Sequence, residues 1–257
     1  MLHKKSVLAV GGVLALMLLA AMVAWSATKR GPPPFLAGLK QNAYDDFIKA
    51  GNSLIGTFED ADDPKAFIRT NQPAFNAFRA GLPRRFEAPV ETYDLQTFSA
   101  LVMPKLALLK RLGQTIKAEG KLAEDSKNYT DAARIYLELI DFGQKIQAGP
   151  VIFLLVGLAV EDMGLKSLQS MENRLKEPDR AQIAQRLAKL AADRISFEEV
   201  MRRERYFGRR NSPTPFHYLI SLRMTRAAID KARSKYNTVV KSEKQLVEQL
   251  KEANRPK

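Results

Sequence analysis

The sequence predicts an all-α protein, in which an N-terminal transmembrane helix precedes a multi-helix bundle that ends in a long C-terminal helix. Apolar residues recur every three or four positions through most of residues 35–253, which is the period of an amphipathic α-helix. Alternating runs of β-branched residues beside Asn-Gly or Asp-Gly pairs, which would predict strands and hairpins, are absent from the sequence. A run of 19 residues without charge, Val7–Trp25, precedes the amphipathic part.

The uncharged run is long enough to cross a membrane as a helix. At 1.5 Å per residue, Val7–Trp25 spans about 28 Å, close to the thickness of the hydrocarbon core. Lys4 and Lys5 precede it, as in the basic start of an export signal. We therefore expect an anchor in the inner (cytoplasmic) membrane, with residues 29–257 extracytoplasmic, in the periplasm. Cleavage after Ser26, which would release a secreted form, is the alternative.

Clusters of proline and glycine divide the chain into segments. We predict, in order, a signal anchor at 1–28, a proline-rich spacer at 29–34, an N-terminal helical layer at 35–82, a main helical bundle at 93–210 and a basic C-terminal helix at 216–254. Three successive prolines make the spacer stiff and extended, because they favour polyproline geometry. The loop Gly81–Asp94 contains two prolines and marks the boundary between the layer and the bundle.

The helices follow from the apolar period and from its punctuation. In the N-terminal layer one helix is predicted over the apolar face Leu36, Leu39, Ala43, Phe47, Ala50, Leu54 and Phe58. In the rest of the chain we expect helices from about Leu95 to Ser126, Thr130 to Ala148, Pro150 to Lys176, Pro178 to Phe207 and Phe216 to Ala253. Pro104 lies inside the first of these five and predicts a kink or a split there.

The residue inventory excludes most catalytic and metal sites. The chain has no cysteine and only two histidines, His3 and His217. Thiolate chemistry, disulfides and the common zinc sites are therefore excluded. Gly-rich phosphate loops, the zinc-protease motif and the nucleophile elbow are absent as well. We predict no catalytic residue, no cofactor and no metal site, and we expect Glu161-Asp162 to mark a helix that turns from the core to the surface.

The stretch EGKLAEDSKNYTDAARIYLELIDFGQ resembles one tetratricopeptide (TPR-like) helical hairpin over about residues 113–145. The residues that carry the resemblance are Gly120, Tyr129, Ala132 and Tyr136. No second copy follows at a 34-residue offset, so the resemblance implies a single hairpin within a larger bundle. The order of leader and helical segments also resembles uncharacterised bacterial proteins with a membrane anchor and an all-helical extracytoplasmic domain, and this implies no activity.

Positive charge is concentrated at the C-terminal end. Residues 201–257 carry 15 basic and 5 acidic side chains, against 26 and 23 in residues 1–200. The densest part holds Arg202, Arg203, Arg205, Arg209 and Arg210. Their guanidinium groups suit a phosphate or carboxylate partner. Alternatively, Glu198–Arg202 and Glu199–Arg203 pairs at i,i+4 spacing neutralise the end of the helix.

The predicted C-terminal helix carries an apolar seam with a spacing typical of coiled coils. The seam comprises Leu222, Ile229, Tyr236, Val239, Leu246 and Leu250. Glu243 interrupts it. Two interpretations stay open: the seam packs against a second subunit, or it packs back on its own bundle.

These features favour a binding role over an enzymatic one. We expect a membrane-anchored extracytoplasmic scaffold or protein–protein interaction module, which contacts the membrane through Val7–Trp25 and a partner protein through its helices. The first alternative is a binder of anionic polymer or lipid headgroups through residues 201–257. The second is a helical enzyme acting on cell-wall glycan, although the single tryptophan lies in the predicted anchor. Nucleic acid is not expected as a partner outside the cytoplasm.

Overall fold

A computed structural model describes residues 41–58, 60–88, 95–212 and 214–252. Within these ranges the regular secondary structure is helical throughout, which confirms the all-α prediction for this part of the chain. The predicted anchor Val7–Trp25 and the spacer 29–34 lie outside the described residues. Among the helices that are described, none combines the length and the apolar character needed to cross a bilayer.

The described residues form nine α-helices and one short 3-10 helix. Their bounds are α1 Ala43–Asn52, α2 Pro64–Thr70, α3 Gln72–Gly81, α4 Leu95–Asp125, α5 Tyr129–Ile146, α6 Val151–Met171, the 3-10 helix Glu172–Arg174, α7 Glu177–Asp193, α8 Phe197–Asn211 and α9 Pro215–Glu252. Pro104 lies within a continuous α4, so the predicted split does not occur.

Short polar side chains begin several of these helices. Asn42 accepts a hydrogen bond from the N–H of Tyr44 at 3.0 Å, and Asp63 accepts one from Lys65 at 2.8 Å. Such caps satisfy N–H groups that have no partner inside the first turn of a helix. Pro64 and Pro73 lie in first turns, where the missing N–H of proline has no cost.

The first helix ends earlier than predicted. The apolar face suggested a helix that continued to Phe58, but α1 ends at Asn52. The buried side chain of Asn71 bonds the backbone of Ile55 instead, accepting from its N–H at 2.8 Å and donating to its carbonyl at 3.1 Å. A distant side chain therefore replaces the hydrogen bonds of the next helical turn.

The predicted helix from Pro178 to Phe207 is in fact two helices. α7 ends at Asp193, and α8 begins at Phe197. Ser196 caps α8, because its hydroxyl accepts from the N–H of Glu199 at 3.2 Å. Ser-x-x-Glu is the spelling of a capping box, so the sequence contained a signal for this start. The linker between the two helices is residues 194–196, and it carries Arg194 into the interior.

Helices α5 and α6 lie antiparallel at the centre of the molecule. Helices α1, α3 and α4 enclose one hydrophobic core with them, in which Phe142 contacts Phe47 and Phe78 at ring-centroid distances of 4.7 and 5.2 Å. Helices α7, α8 and α9 enclose a second core on the other side. Glycines allow α5 and α6 to approach closely: a Cβ added at Gly143 would lie 2.5 Å from the backbone nitrogen of Glu161.

Candidate functional site

The arginine-rich segment 202–210 forms most of α8, and its first two arginines are held by carboxylates. Arg202 binds Glu199 at 2.6 Å, and Arg203 binds the same carboxylate at 3.0 Å. Arg203 is buried and also donates to Glu87 at 2.9 Å and to the carbonyl of Ala148. This arginine therefore ties α8 to the connection that follows α3 and to the end of α5.

The last three arginines of the segment lie toward the end of α8. Arg205 and Arg209 are exposed, and the guanidinium of Arg209 lies 5.9 Å from the ring centroid of Tyr218 at the start of α9. Arg210 donates to the hydroxyl of Tyr206 at 3.0 Å. The final turn of α8 thus contacts the first turns of α9.

Glu204 has a different environment from its arginine neighbours. Its carboxylate accepts a hydrogen bond of 2.8 Å from the N–H of Val151 at the start of α6. Burial raises the pKa of Glu204 above its ordinary value of 4.5, although the hydrogen bond from Val151 partly opposes this. The charged form of Glu204 therefore destabilises the folded state.

Replacing Glu204 by glutamine should stabilise the protein, relative to the parent, more at neutral pH than at pH 4. The folded-state pKa is above the unfolded one, so the cost of the charge is absent below about 4.5 and grows as pH rises through the folded pKa. Glutamine keeps an acceptor for the Val151 N–H without the charge. Denaturation of both proteins between pH 4 and 7 should show the E204Q advantage increasing with pH. The exposed Glu198→Gln control should show no such increase, and an E204Q advantage independent of pH would contradict the prediction.

The predicted seam of α9 is largely covered by its own chain. Val239, Leu246 and Leu250 are buried in the second core, and Ile229 and Tyr236 are partly buried against it. The hydroxyl of Tyr236 donates to the carbonyl of Ile195 at 2.9 Å. The side chain of Leu222 lies outside the described residues. In the structure, the seam therefore packs against the chain's own helical bundle.

Two of the four residues of the predicted hairpin, Gly120 and Tyr136, meet at the contact between α4 and α5. A Cβ added at Gly120 would collide with the ring of Tyr136, and the hydroxyl of Tyr136 donates to Glu124 at 3.1 Å. Ala132 is fully buried in the second core. Tyr129, partly buried, lies 5.8 Å from the guanidinium of Arg174. The TPR-like character of this hairpin remains a prediction.

The start of α9 carries two large apolar side chains in solvent. Phe216 is 69% exposed and Leu219 is 62% exposed. Arg223 and Arg226 are exposed too, and at 100° per residue all four positions fall within about 80° of one another on the helix. We call Phe216, Leu219, Arg223 and Arg226 the α9 tip surface. It combines apolar and cationic groups on one helical face.

A cluster of buried charges joins three parts of the chain. Glu161 on α6 and Glu243 on α9 both bind Arg194 from the α7–α8 linker; Glu161 Oε2 lies 2.8 Å from Nη1, and Glu243 Oε2 lies 2.8 Å from Nη2. The exposed fractions of the Glu161, Glu243 and Arg194 side chains are 0%, 1% and 5%. Gln144 donates to both carboxylates, at 3.1 and 2.9 Å, and Gln147 donates to Glu161 at 2.6 Å.

The charges of this cluster depend on each other. Burial opposes the cationic form of Arg194, but the hydrogen bonds and negative charges of Glu161 and Glu243 outweigh it and raise the pKa of the guanidinium. Burial raises the pKa of Glu243, against the attraction of Arg194. The stability of this cluster therefore depends on the guanidinium, since two carboxylates share it.

Glu161 corrects an expectation drawn from the sequence. Glu161-Asp162 was expected to mark a turn of the helix toward the surface, but Glu161 is fully buried in the middle of α6. Asp162 does reach the surface, where it pairs with Lys166 at 2.9 Å. A glutamate can be central to a core when a cation from another segment reaches it.

A polar cavity of about 660 Å³ opens beside the buried cluster, between the connection after α3 and helices α5, α7 and α8. We call it the polar cleft. Its cationic lining consists of Arg85, Lys145, Arg186, Lys189, Arg194 and Arg203. Its carboxylates are Glu87, Asp141, Asp193 and Glu199. Burial raises the pKa values of Glu87 and Asp141, whereas hydrogen bonding to Arg202 is the main cause that lowers the pKa of Glu199.

The polar cleft and the buried cluster were not anticipated from the sequence. The cleft brings together residues about 110 positions apart, from Arg85 to Arg194, and no local spacing encodes that. Three or more His, Asp or Glu side chains arranged to hold a metal ion are not found in the part of the chain that the structure describes. Comparison of the chain with protein-family models, with curated proteins and with solved structures found no match.

Proposed function

We propose that the chain is a membrane-tethered, extracytoplasmic helical module that binds a partner protein through the α9 tip surface. The observation that carries this proposal is the exposure of Phe216 and Leu219, at 69% and 62%, on a protein whose other large apolar side chains are mostly buried in the described part. Adjacent exposed apolar groups with arginines beside them are typical of interface centres.

The charge of the surface restricts the partner. Arg223 and Arg226 lie on the same face as the two apolar residues, and Arg205 and Arg209 are exposed on the neighbouring α8. A second copy would bring like charges together, which is unfavourable. An acidic protein surface with an apolar recess fits both the cations and the two apolar side chains.

The tether is supported by the sequence. The 19 uncharged residues Val7–Trp25 have the length and composition of a transmembrane helix, and Lys4 and Lys5 precede them as in an export signal. In this proposal the spacer 29–34 separates the helical module from the bilayer, and the module meets its partner in the periplasm.

An anionic lipid surface is the second candidate for the α9 tip surface. Apolar residues beside arginines on one helical face are also the arrangement by which an amphipathic helix lies in a membrane interface. Vesicle binding separates the two candidates. If the ligand is an anionic lipid, the protein should bind phosphatidylglycerol vesicles but not phosphatidylcholine vesicles, and moderate salt should release it.

The glycan-enzyme alternative has weaker support. Glycan sites usually present aromatic side chains to a sugar, and among the described residues Phe86, which is 3% exposed, is the only aromatic residue in the lining of the polar cleft. The buried carboxylate of Glu87 in the same cleft is paired with Arg203.

We predict that a photo-reactive amino acid at position 219 forms an adduct with one specific protein in the native envelope. The double variant R223E/R226E should lose this adduct, because the charge reversal repels an acidic partner. The same probe at exposed Gln114 on α4 is the positional control and should not form this adduct. Persistence of the adduct in R223E/R226E, or its equal formation from Gln114, would overturn the proposal. Adducts with lipid alone would favour the second candidate.

A further inference from the structure

We propose that the polar cleft is a binding site for a small dianion bearing a phosphate or dicarboxylate group. The site shares no residue with the α9 tip surface, so it is independent of the proposed partner contact. The inference is carried by a floor of buried charged groups below a rim of available cations.

The floor of the cleft is built from side chains that the fold holds in place. Glu87, Gln144, Arg194 and Arg203 all line the cleft, and each side chain is at least nine-tenths buried. Arg203 has partners on three segments: Glu199, Glu87 and the carbonyl of Ala148. Side chains held in this way are pre-organised, so little rotamer freedom is lost when a ligand binds.

One donor of the floor lacks an acceptor. The Nε–H of Arg194 is buried and has no hydrogen-bond partner among the described residues, although both of its Nη atoms are bonded. A buried donor left unpaired costs about 1–3 kcal/mol. An oxygen atom of a ligand bound beside Arg194 would accept a hydrogen bond from this Nε–H, and the cost of the unpaired donor would be removed.

Among the described residues, the rim of the cleft offers two cations without an ion pair and two that are paired with carboxylates. Arg186 and Lys189 lie one turn apart on α7; both are exposed and make no ion pair or hydrogen bond with another residue in the described part of the chain. Arg85 lies on the opposite wall, where its half-exposed side chain pairs with Glu87 at 2.8 Å. Lys145 adds a fourth cation and lies 3.7 Å from Asp141.

The charge of the lining sets the class of ligand. Four of the six cationic side chains in the described lining, Arg85, Lys145, Arg194 and Arg203, pair with carboxylates, whereas Arg186 and Lys189 make no ion pair with a described residue. Guanidinium groups bind phosphate and carboxylate oxygens in pairs, whereas a neutral ligand would leave these charges without a partner. A single small dianion can pair with both Arg186 and Lys189, and the volume of about 660 Å³ is large enough for a small organic molecule.

Calorimetric titration of the purified full chain in detergent tests the proposal, with inorganic phosphate and succinate as probes and glucose as the neutral control. We expect at least one dianion to bind and glucose not to bind. The rim variant R186Q/K189Q should weaken binding about tenfold or more, since two charge-assisted contacts are lost. Both residues are exposed, so the variant should fold normally.

The matched control is K110Q/K117Q, which removes two exposed positive charges from α4. It should leave the affinity unchanged, because these lysines do not line the cleft. The proposal fails if neither dianion binds at up to about 10 mM. It fails equally if the control weakens binding as much as the rim variant, because the effect would then come from net charge. Phosphate binding without succinate binding, or the reverse, assigns the ligand to one of the two groups.

Discussion

Replacement of Arg194 by methionine is expected to lower the free energy of unfolding by about 3–5 kcal/mol. The guanidinium is the cation shared by Glu161 and Glu243, and both carboxylates are buried. Removal of the cation leaves two negative charges in the interior without compensation, which costs far more than the lost contacts alone. Urea denaturation of the purified protein, followed by circular dichroism, measures the loss.

The pH dependence of R194M provides a second readout. The pKa of Glu243 is already raised by burial, and the loss of Arg194 removes the charge that opposes this rise. A carboxyl whose pKa is raised on folding destabilises the folded state at high pH, and the cost disappears as pH falls below the unfolded value near 4.5. The deficit of R194M should therefore shrink between neutral pH and pH 4.5.

Two control variants separate charge burial from a general effect of substitution. E161Q/R194M/E243Q removes every charge of the cluster but keeps amide groups as partners for Gln144 and Gln147, and it should recover at least half of the loss. The exposed Arg186→Met should change stability by less than about 0.5 kcal/mol. An R194M protein within 1 kcal/mol of the parent would contradict the buried position of this cluster.

Alanine in place of Gly143 should lower the free energy of unfolding by about 1–3 kcal/mol. In an isolated helix the same change would be favourable by about 1 kcal/mol, so tertiary packing is expected to reverse the sign. The added Cβ would lie 2.5 Å from the backbone nitrogen of Glu161 and 2.8 Å from its Cα. Backbone atoms cannot rotate away, so α5 and α6 must separate, and Glu161 moves relative to Arg194.

Gly208→Ala is the matched control for this prediction. The residue lies in α8, and the nearest atom to its added Cβ is at 3.1 Å, on the ring of Tyr218. A side chain can shift where a backbone cannot, so we expect this variant to be near neutral or slightly stabilised. Thermal unfolding of the two variants side by side should place only G143A well below the parent. Equal stability of both would show that α5 and α6 are not in close contact at Gly143.

Local signals were sufficient for most helix boundaries. Pro64, Pro73 and Pro178 lie in first turns, where a missing N–H has no cost. The start of α4 at Leu95 agrees with the sequence prediction. The missed boundary between α7 and α8 also had a local signal, the Ser196–Glu199 capping box, which the continuous apolar period obscured.

The candidate sites followed a different pattern. Arg203 is part of a conspicuous arginine run, yet the sequence does not show that it is buried while Arg205 is exposed, because that difference depends on Glu87 and Ala148 from other segments. Glu243 was visible only as an interruption of an apolar seam. Glu243 can lie within the seam because its carboxylate binds Arg194, which is 49 residues away in the sequence.

The sequence by itself determined that the described chain is helical, where most of its helices begin, and that basic charge collects at its C-terminal end. These properties depend on hydrogen bonds within a turn and on the 3.6-residue period, which act between near neighbours. Only the tertiary structure decided which charged side chains are buried together, and that a polar cleft opens beside them. A buried charge is tolerated only where an opposite charge meets it, and that partner can come from any distance along the chain.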